Sequence, residues 1–488
     1  MKKMNLLVMS LVSAAALSFT SCSSNDDLAG NAGQEKVDGF YMTLNVQTPK
    51  SDGTRTVVNN PTVDATAAES DVTSGTIYLV DATGAVVFKK EITESEWKEG
   101  KPTQGNDGST KIKIEVDKVV AGQTYKVYFL ANADSEDPLN STFSTTATTD
   151  NKFVGDYAKA NNFAMFNQND TQVDGNGYTV TFIKANNNEA NPAKVNYKTT
   201  PNAPIKVERV VARIDAPTSK STVLADAPAD ASAALKVAMK DAKEKVEKIE
   251  LTNYAISNLA NKSYVMQTWN PSSALVIPND KKGFSYIQPT ADFGGTFDYN
   301  DGGFTTTEAT KVNYVFENNS TTAPTTMYFE YKVTLKNEKF EGDADFKDDA
   351  TNAGTFYRYN NVIYTSFAQI YKDYADVPNL FGKGMDADKM KAELKKVIDN
   401  EAELAKFRED NNIEVFKGGK TYYKHVIKDN HINGIIQRNS IYRLNINNIF
   451  NVGAQVPNGE PTENEFYYLN VTVTVNPWVL NEEDVNLQ

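Results

Sequence analysis

Cys22 is the single cysteine of this 488-residue chain, and it stands where a thiol can take a lipid. Lys2 and Lys3 make a basic start, and Leu6 to Phe19 form an apolar run too short to span a bilayer. Thr20 and Ser21 then bring small side chains up to Cys22, so residues 1–22 read as a signal peptide that ends in a lipobox. A cysteine so placed is diacylated, cut on its amino side and N-acylated. Several acyl chains such as palmitate, at ~0.8 kcal/mol per buried CH₂, anchor a precursor stably in a membrane. The second reactive position is Arg55, the only arginine before Arg209. It closes a polar loop containing Gly53, the kind of exposed segment that proteases cut. The position reads either as a target for a trypsin-like protease, which cuts between Arg55 and Thr56, or as an ordinary surface arginine.

The remaining candidates point away from catalysis. His425 and His431 are the only histidines, six apart around an expected turn. They lack a third ligand of the right kind nearby and read as surface or interface residues, so no metal is expected. The run Glu341-Gly-Asp343-Ala-Asp345-Phe-Lys-Asp348-Asp349 has the carboxylate density of a calcium loop without its spacing, and reads as a solvated acidic loop. With Cys22 lipidated no thiol nucleophile is left, and neither a Gly-x-Ser-x-Gly elbow nor a phosphate-binding glycine loop occurs. The expectation is a protein that is not an enzyme and takes no cofactor. A formal net charge of −13 argues against nucleic acid or anionic lipid as the main partner.

What positions these residues is a series of strands. Phe40, Met42, Leu44 and Val46 alternate with Tyr41, Thr43, Asn45 and Gln47, the period of a strand with one buried face, and Pro49 ends it. Thr76 to Val80 and Ala85 to Lys89 flank a turn and predict a hairpin. Lys111 to Val116, Tyr125 to Ala131 and Tyr178 to Ile183 predict further strands. Residues 185–204, rich in Asn with three prolines, read as a boundary. In Ile205 to Ala216 the pattern sets Arg209 and Arg213 among apolar residues, which places them at an edge or a domain interface. Ala231 to Lys245 has helical composition, and Asp386 can cap a helix through Val397 with a second piece at Glu401 to Arg408. Val246 to Asn258, Thr326 to Leu335, Lys420 to Ile427, Ile441 to Ile449 and Tyr467 to Val475 complete an all-β plan with helical insertions, two sandwiches in tandem. The end is unusual for a free terminus: Pro477-Trp478-Val479-Leu480 leads into a tail holding Val485 and Leu487, which either packs back on its own sheet or leaves the domain and pairs with another subunit by strand addition.

Six stretches together resemble the Bacteroidales fimbrillins, shaft subunits of type V pili, and most closely their minor branch. They are the lipobox at Cys22, Gly53-Thr54-Arg55, VERVVARIDA at 207–216, IELTNYAISN at 249–258, NGIIQRNSIYRLNINNI at 433–449 and LNVTVTVNPWVL at 469–480. The resemblance runs through nearly the whole chain and implies two transthyretin-like, Greek-key β-sandwich domains at 56–203 and 204–477, after a propeptide at 23–55. The acidic Ser23 to Asp27 tract resembles the signal that sends such lipoproteins to the cell surface. It further implies that a cut after Arg55 frees the strand bearing Phe40, Met42, Leu44 and Val46. A neighbour's tail at 478–488, with Trp478, Val479, Leu480, Val485 and Leu487, would fill the groove. Filling of that kind is head-to-tail and does not close, so it builds a fimbrium from copies of the chain, with anchor and tip subunits as further partners. The competing expectation is a monomeric surface lipoprotein that binds a glycan or a host protein.

Overall fold

The computed structural model describes residues 39–47, 63–64, 66–100, 109–144, 154–167, 177–184, 187–260, 262–270, 275–278, 286–287, 305–306, 312–340, 342–427, 436–457 and 469–479. In chain order the first half contributes β1 (Phe40–Gln47), β2 (Val63–Asp64), α1 (Ala67–Ser70), β3 (Gly75–Val80), β4 (Val86–Ile92), β5 (Ser109–Val116), β6 (Thr124–Ala131), β7 (Met165–Asn167), β8 (Tyr178–Thr181), β9 (Ala193–Lys194) and β10 (Ile205–Arg209). All but β2 join one sheet that runs β4-β3-β6-β7-β10-β1-β5, with β8 continuing the edge of β6 and β9 that of β1. The sheet folds over a core in which the apolar residues of β1, alternate residues of β5 and most of β6 are buried. Gly75 is required where β3 meets β6, since a Cβ there would stand 2.7 Å from the Leu130 carbonyl oxygen. On the outer edge, Lys111, Lys113 and Glu115 of β5 are exposed, charges that deter unwanted strand addition.

The second half adds β11 (Ala212–Asp215), α2 (Ala233–Lys245), β12 (Val246–Ser257), β13 (Val312–Val315), β14 (Thr326–Leu335), β15 (Phe356–Tyr359), β16 (Val362–Tyr364), α3 (Phe367–Asp373), α4 (Ala387–Val397), α5 (Glu401–Asn411), β17 (Glu414–Phe416), β18 (Lys420–Val426), β19 (Ser440–Ile449) and β20 (Leu469–Val479). One sheet has the order β2-β20-β19-β11-β13, and a second runs β12-β14-β18. Their inner faces meet in one core, where Asn313 of β13 donates to the Tyr254 hydroxyl of β12 at 2.8 Å. The protein is thus an all-β sandwich protein, as its sequence predicts.

Three details depart from the sequence reading. The expected division at 203/204 falls before β10, which pairs with β1 and β7 in the first sheet. The chain passes to the second sheet at Val210–Val211, both fully buried, because one apolar run serves two sheets. The C-terminal strand does not stop at Val475. It continues through Pro477 to Val479, as proline can sit where a ladder needs no N–H.

The third departure is the acidic run. Residues between β14 and β18 form a module with its own core, built from β15, β16, β17 and α3 to α5. Asp345 is buried there instead of solvated. One of its oxygens accepts from the Tyr357 hydroxyl at 3.0 Å and from the Phe367 N–H at 2.9 Å, and Lys391 lies 3.4 Å from the other. Asp343 accepts from Ser366 Oγ at 2.7 Å, so the run staples the start of α3. Asp345→Ala should therefore lower stability by about 2–3 kcal/mol, because two buried donors lose their acceptor. Denaturant titration checks this, and a change below about 0.5 kcal/mol would sink the assignment.

Candidate assembly site: the first strand and the C-terminal strand

Alternation in β1 sends Phe40, Met42, Leu44 and Val46 into the core, where Phe40 is 3% exposed and the other three are fully buried. The Phe40 ring packs on Phe182 with centroids 5.4 Å apart. Although it comes first in the chain, β1 is an interior strand. One edge pairs antiparallel with β5 along its whole length, from Phe40↔Val116 to Gln47↔Ser109. Its other edge pairs in parallel with β9 at Met42 and Thr43 and with β10 at Val46 and Gln47. Tyr41 adds an N–H bond to the Asn187 carbonyl at 3.1 Å. Leu44 and Asn45 fall in the break between β9 and β10, and the buried Asn45 Oδ1 has no hydrogen-bond partner among the described residues. Taking β1 away would leave a slot with an apolar floor and two unpaired edges.

At the other end of the chain, β20 pairs antiparallel with β19 from Leu469↔Ile449 to Pro477↔Ser440. Trp478 and Val479 belong to that same strand, and their backbones face Val63 and Asp64 of β2 in parallel. The tail expected to begin at 478 thus starts inside the protein's own sheet. Cys22, Arg55, Thr56, Leu480, Val485 and Leu487 lie outside the described residues, as does His431. His425 stands in β18 opposite Met327. Among the described residues no group of three metal-ligating side chains is brought together.

Between β2 and the first sheet lies a junction the sequence reading located only in part. Thr66 and Glu69 form a capping box: Glu69 accepts from the Thr66 N–H at 2.8 Å and hydroxyl at 3.0 Å. The spacing Thr-Ala-Ala-Glu was the available signal. Glu69 also accepts from the Tyr314 hydroxyl at 2.7 Å and from Arg213 at 3.1 Å. Burial pushes its pKa up, but the Thr66, Tyr314 and Arg213 donors outweigh it and hold the carboxyl below the usual value. Arg209 is fully buried, donating to the Glu69 carbonyl at 2.6 Å, Ser70 Oγ at 2.9 Å and Asn439 Oδ1 at 3.0 Å. Burial pulls its guanidinium down to about 9, so it stays charged at neutral pH. Arg213 reaches Asp215 at 2.5 Å, and Arg443 of β19 reaches the other oxygen of Asp215 at 2.8 Å. Both arginines sit where the two halves meet, as expected.

Fold and site together define an all-β sandwich protein with an interior strand, paired along both edges, at its N-terminal end. Residues 414–484, from β17 through β20, match the family described as major fimbrial subunit protein type IV, fimbrillin, C-terminal. Over that segment the chain is similar to the fimbrillins. No curated protein matches it. Among solved structures it is similar to a candidate cell adhesion protein of Parabacteroides distasonis, at 12% identity over 90% of this chain and 99% of the other, with a TM-score of 0.47. A candidate cell adhesion protein of Bacteroides eggerthii is similar over 92% of this chain and 100% of its own, at 12% identity and a TM-score of 0.44. A fimbrial assembly protein of Parabacteroides distasonis is similar over 61% of this chain and 99% of its own, at 13% identity and a TM-score of 0.27.

Proposed function

We propose that the chain is a structural, non-catalytic shaft subunit of a cell-surface fimbria, of the minor-fimbrillin branch. In this reading it is exported as a lipoprotein acylated at Cys22 and carried to the outer membrane. An arginine-specific protease cuts it after Arg55, and the C-terminal tail of one copy replaces β1 in the next. Adhesion to surfaces follows from the filament, and anchor and tip subunits complete it. The observation that carries the reading is the placement of β1. Four large side chains of a strand upstream of the cut fill the core while both strand edges are paired. Such a strand blocks the slot a neighbour would need, which keeps the uncut chain a monomer.

Limited trypsin digestion of the chain lacking residues 1–22 tests the proposal. The expected result is an early cut at Arg55, located by mass spectrometry, followed by filaments in the electron microscope. Deleting residues 480–488 should abolish the filaments without changing the cut. Cleaved protein that remains monomeric with its tail intact would count against strand replacement.

A further inference from the structure

One side of β20 pairs with β19 from Leu469 to Pro477. On the other side, among the described residues, only Val63 and Asp64 of β2 meet it, at Trp478 and Val479. From Leu469 to Val479 the sequence carries no charged residue. The first sheet guards its edges differently: β5 exposes Lys111, Lys113 and Glu115, and β4 exposes Lys89 and Glu91. A long, uncharged, open edge invites an added strand.

We propose that the strand it takes is the segment that a cut after Arg55 frees. Residues 56–62, which lie outside the described residues, settle along β20 in parallel as a continuation of β2. This deepens the proposed function, because it rests on that cut. The register selects the occupant. Val63 faces Trp478 and Asp64 faces Val479, so the same offset carried backward sets Thr62 opposite Pro477 and Thr56 opposite Val471. The freed segment therefore ends just inside Leu469, where β20 begins. Its composition agrees: Thr56, Val57 and Val58 are β-branched, and no side chain from 56 to 62 is charged. Pro61 is tolerated because the segment becomes the last strand, where a missing N–H can point away from β20. Tethered at Val63, the segment meets the edge at an effective concentration that a second copy does not match.

The cut is what permits the docking. β1 ends at Gln47, beside Lys206 in the first sheet. β20 meets the junction at Pro477, opposite Ser440, and Val471 lies toward its other end. In the uncut chain residues 48–55 would have to cross the junction and run most of that edge, close to the ~3.3–3.6 Å per residue that a chain can reach. Cutting removes that demand. The new terminus then lies against the second half, away from the slot that β1 fills, and the edge is closed to other copies.

Paired cysteines test the dock in chain lacking residues 1–22, and with them its only cysteine, and lacking residues 480–488. Residues 51–55 are replaced by the recognition sequence of enteropeptidase, so that the cut before Thr56 is made whether or not Arg55 is a natural target. Asn59→Cys with Thr474→Cys should form an intramolecular disulfide about tenfold faster after the cut than before it, read by denaturing gel and mass spectrometry. Asn59→Cys with Thr472→Cys, which is out of register, should lag the matched pair by about tenfold. Adding Val58→Pro should abolish the bond, because the N–H at 58 is out of phase with that at 61 and faces β20. Val57→Pro, in phase with Pro61, should leave it in place. No bond in the matched pair, equal rates for the two pairs, equal rates before and after the cut, or a bond between two molecules would each overturn the proposal. With the cut engineered and the tail absent, none of these outcomes depends on Arg55 or on strand replacement.

Discussion

Chain that lacks residues 480–488 and is cut after Arg55 should keep its first strand, since no competing tail is present. The fragment carrying Phe40–Gln47 is expected to co-elute with the body in size exclusion and to appear bound in native mass spectrometry. The reason is the double pairing of β1 together with four buried side chains. At ~1.5–3 kcal/mol each as an upper bound, those side chains hold the strand far more firmly than thermal motion can undo in minutes. In the chain that keeps its tail, replacing both Met42 and Leu44 by alanine should remove about 2–5 kcal/mol at each position. That variant should lose the strand on cutting and expose the slot at once, seen as rapid filament growth or precipitation. Asn45 gives the exchange a direction, since its buried oxygen, without a partner among the described residues, costs about 1–3 kcal/mol that a replacing strand need not carry. Spontaneous loss of the strand from the cut chain lacking residues 480–488 would show that the ladder is weaker than its geometry implies.

Local pattern made β1 legible, together with the hairpin of β3 and β4, and the helices α2 and α4. Each has a period or a cap readable within a dozen residues, as where Asp386 accepts from the Lys389 N–H at 2.9 Å. The partners of β1 were not legible in that way. Ala193 and Ile205 lie about 150 residues away, and nothing near Met42 or Val46 encodes which edge they will meet. The same holds for β2, two residues whose only regularity is the strand they touch. In α3 the sequence Phe-Ala-Gln-Ile-Tyr-Lys-Asp mixes aromatics with helix formers, and Ser366 as its cap became evident only with the fold. Asp345 misled for a related reason: an acidic run reads as solvated until a tyrosine and a helix start converge on it.

Acid should open the junction between the two halves before it opens the helical module. Glu69 has a folded-state pKa below its ordinary 4.5, so the stability it contributes is present above that value and is lost as pH falls through the folded one. Asp345 has the opposite sign. Burial raises its pKa above the ordinary 3.8, so protonation favours the fold and the module gains as pH falls through the raised value. Hydrogen exchange below about pH 4.5 should therefore rise first at α1 and β11, while α3 and β15 stay protected. Arg209→Ala should imitate that opening at neutral pH. It leaves the Glu69 carbonyl, Ser70 and Asn439 without their donor and a cavity between the sheets, which together should cost about 3–5 kcal/mol. In Glu69→Gln the acid-dependent rise at α1 should vanish, because the group that titrates is gone. Should α3 lose protection first, or the glutamine variant keep the same acid response, the junction is not the acid-sensitive element. Its place in the chain makes the result matter for assembly. Glu69 and Ser70 hold the segment just downstream of Arg55, so a firm junction lets a cut there free β1 while α1 stays clamped between the two halves of the subunit.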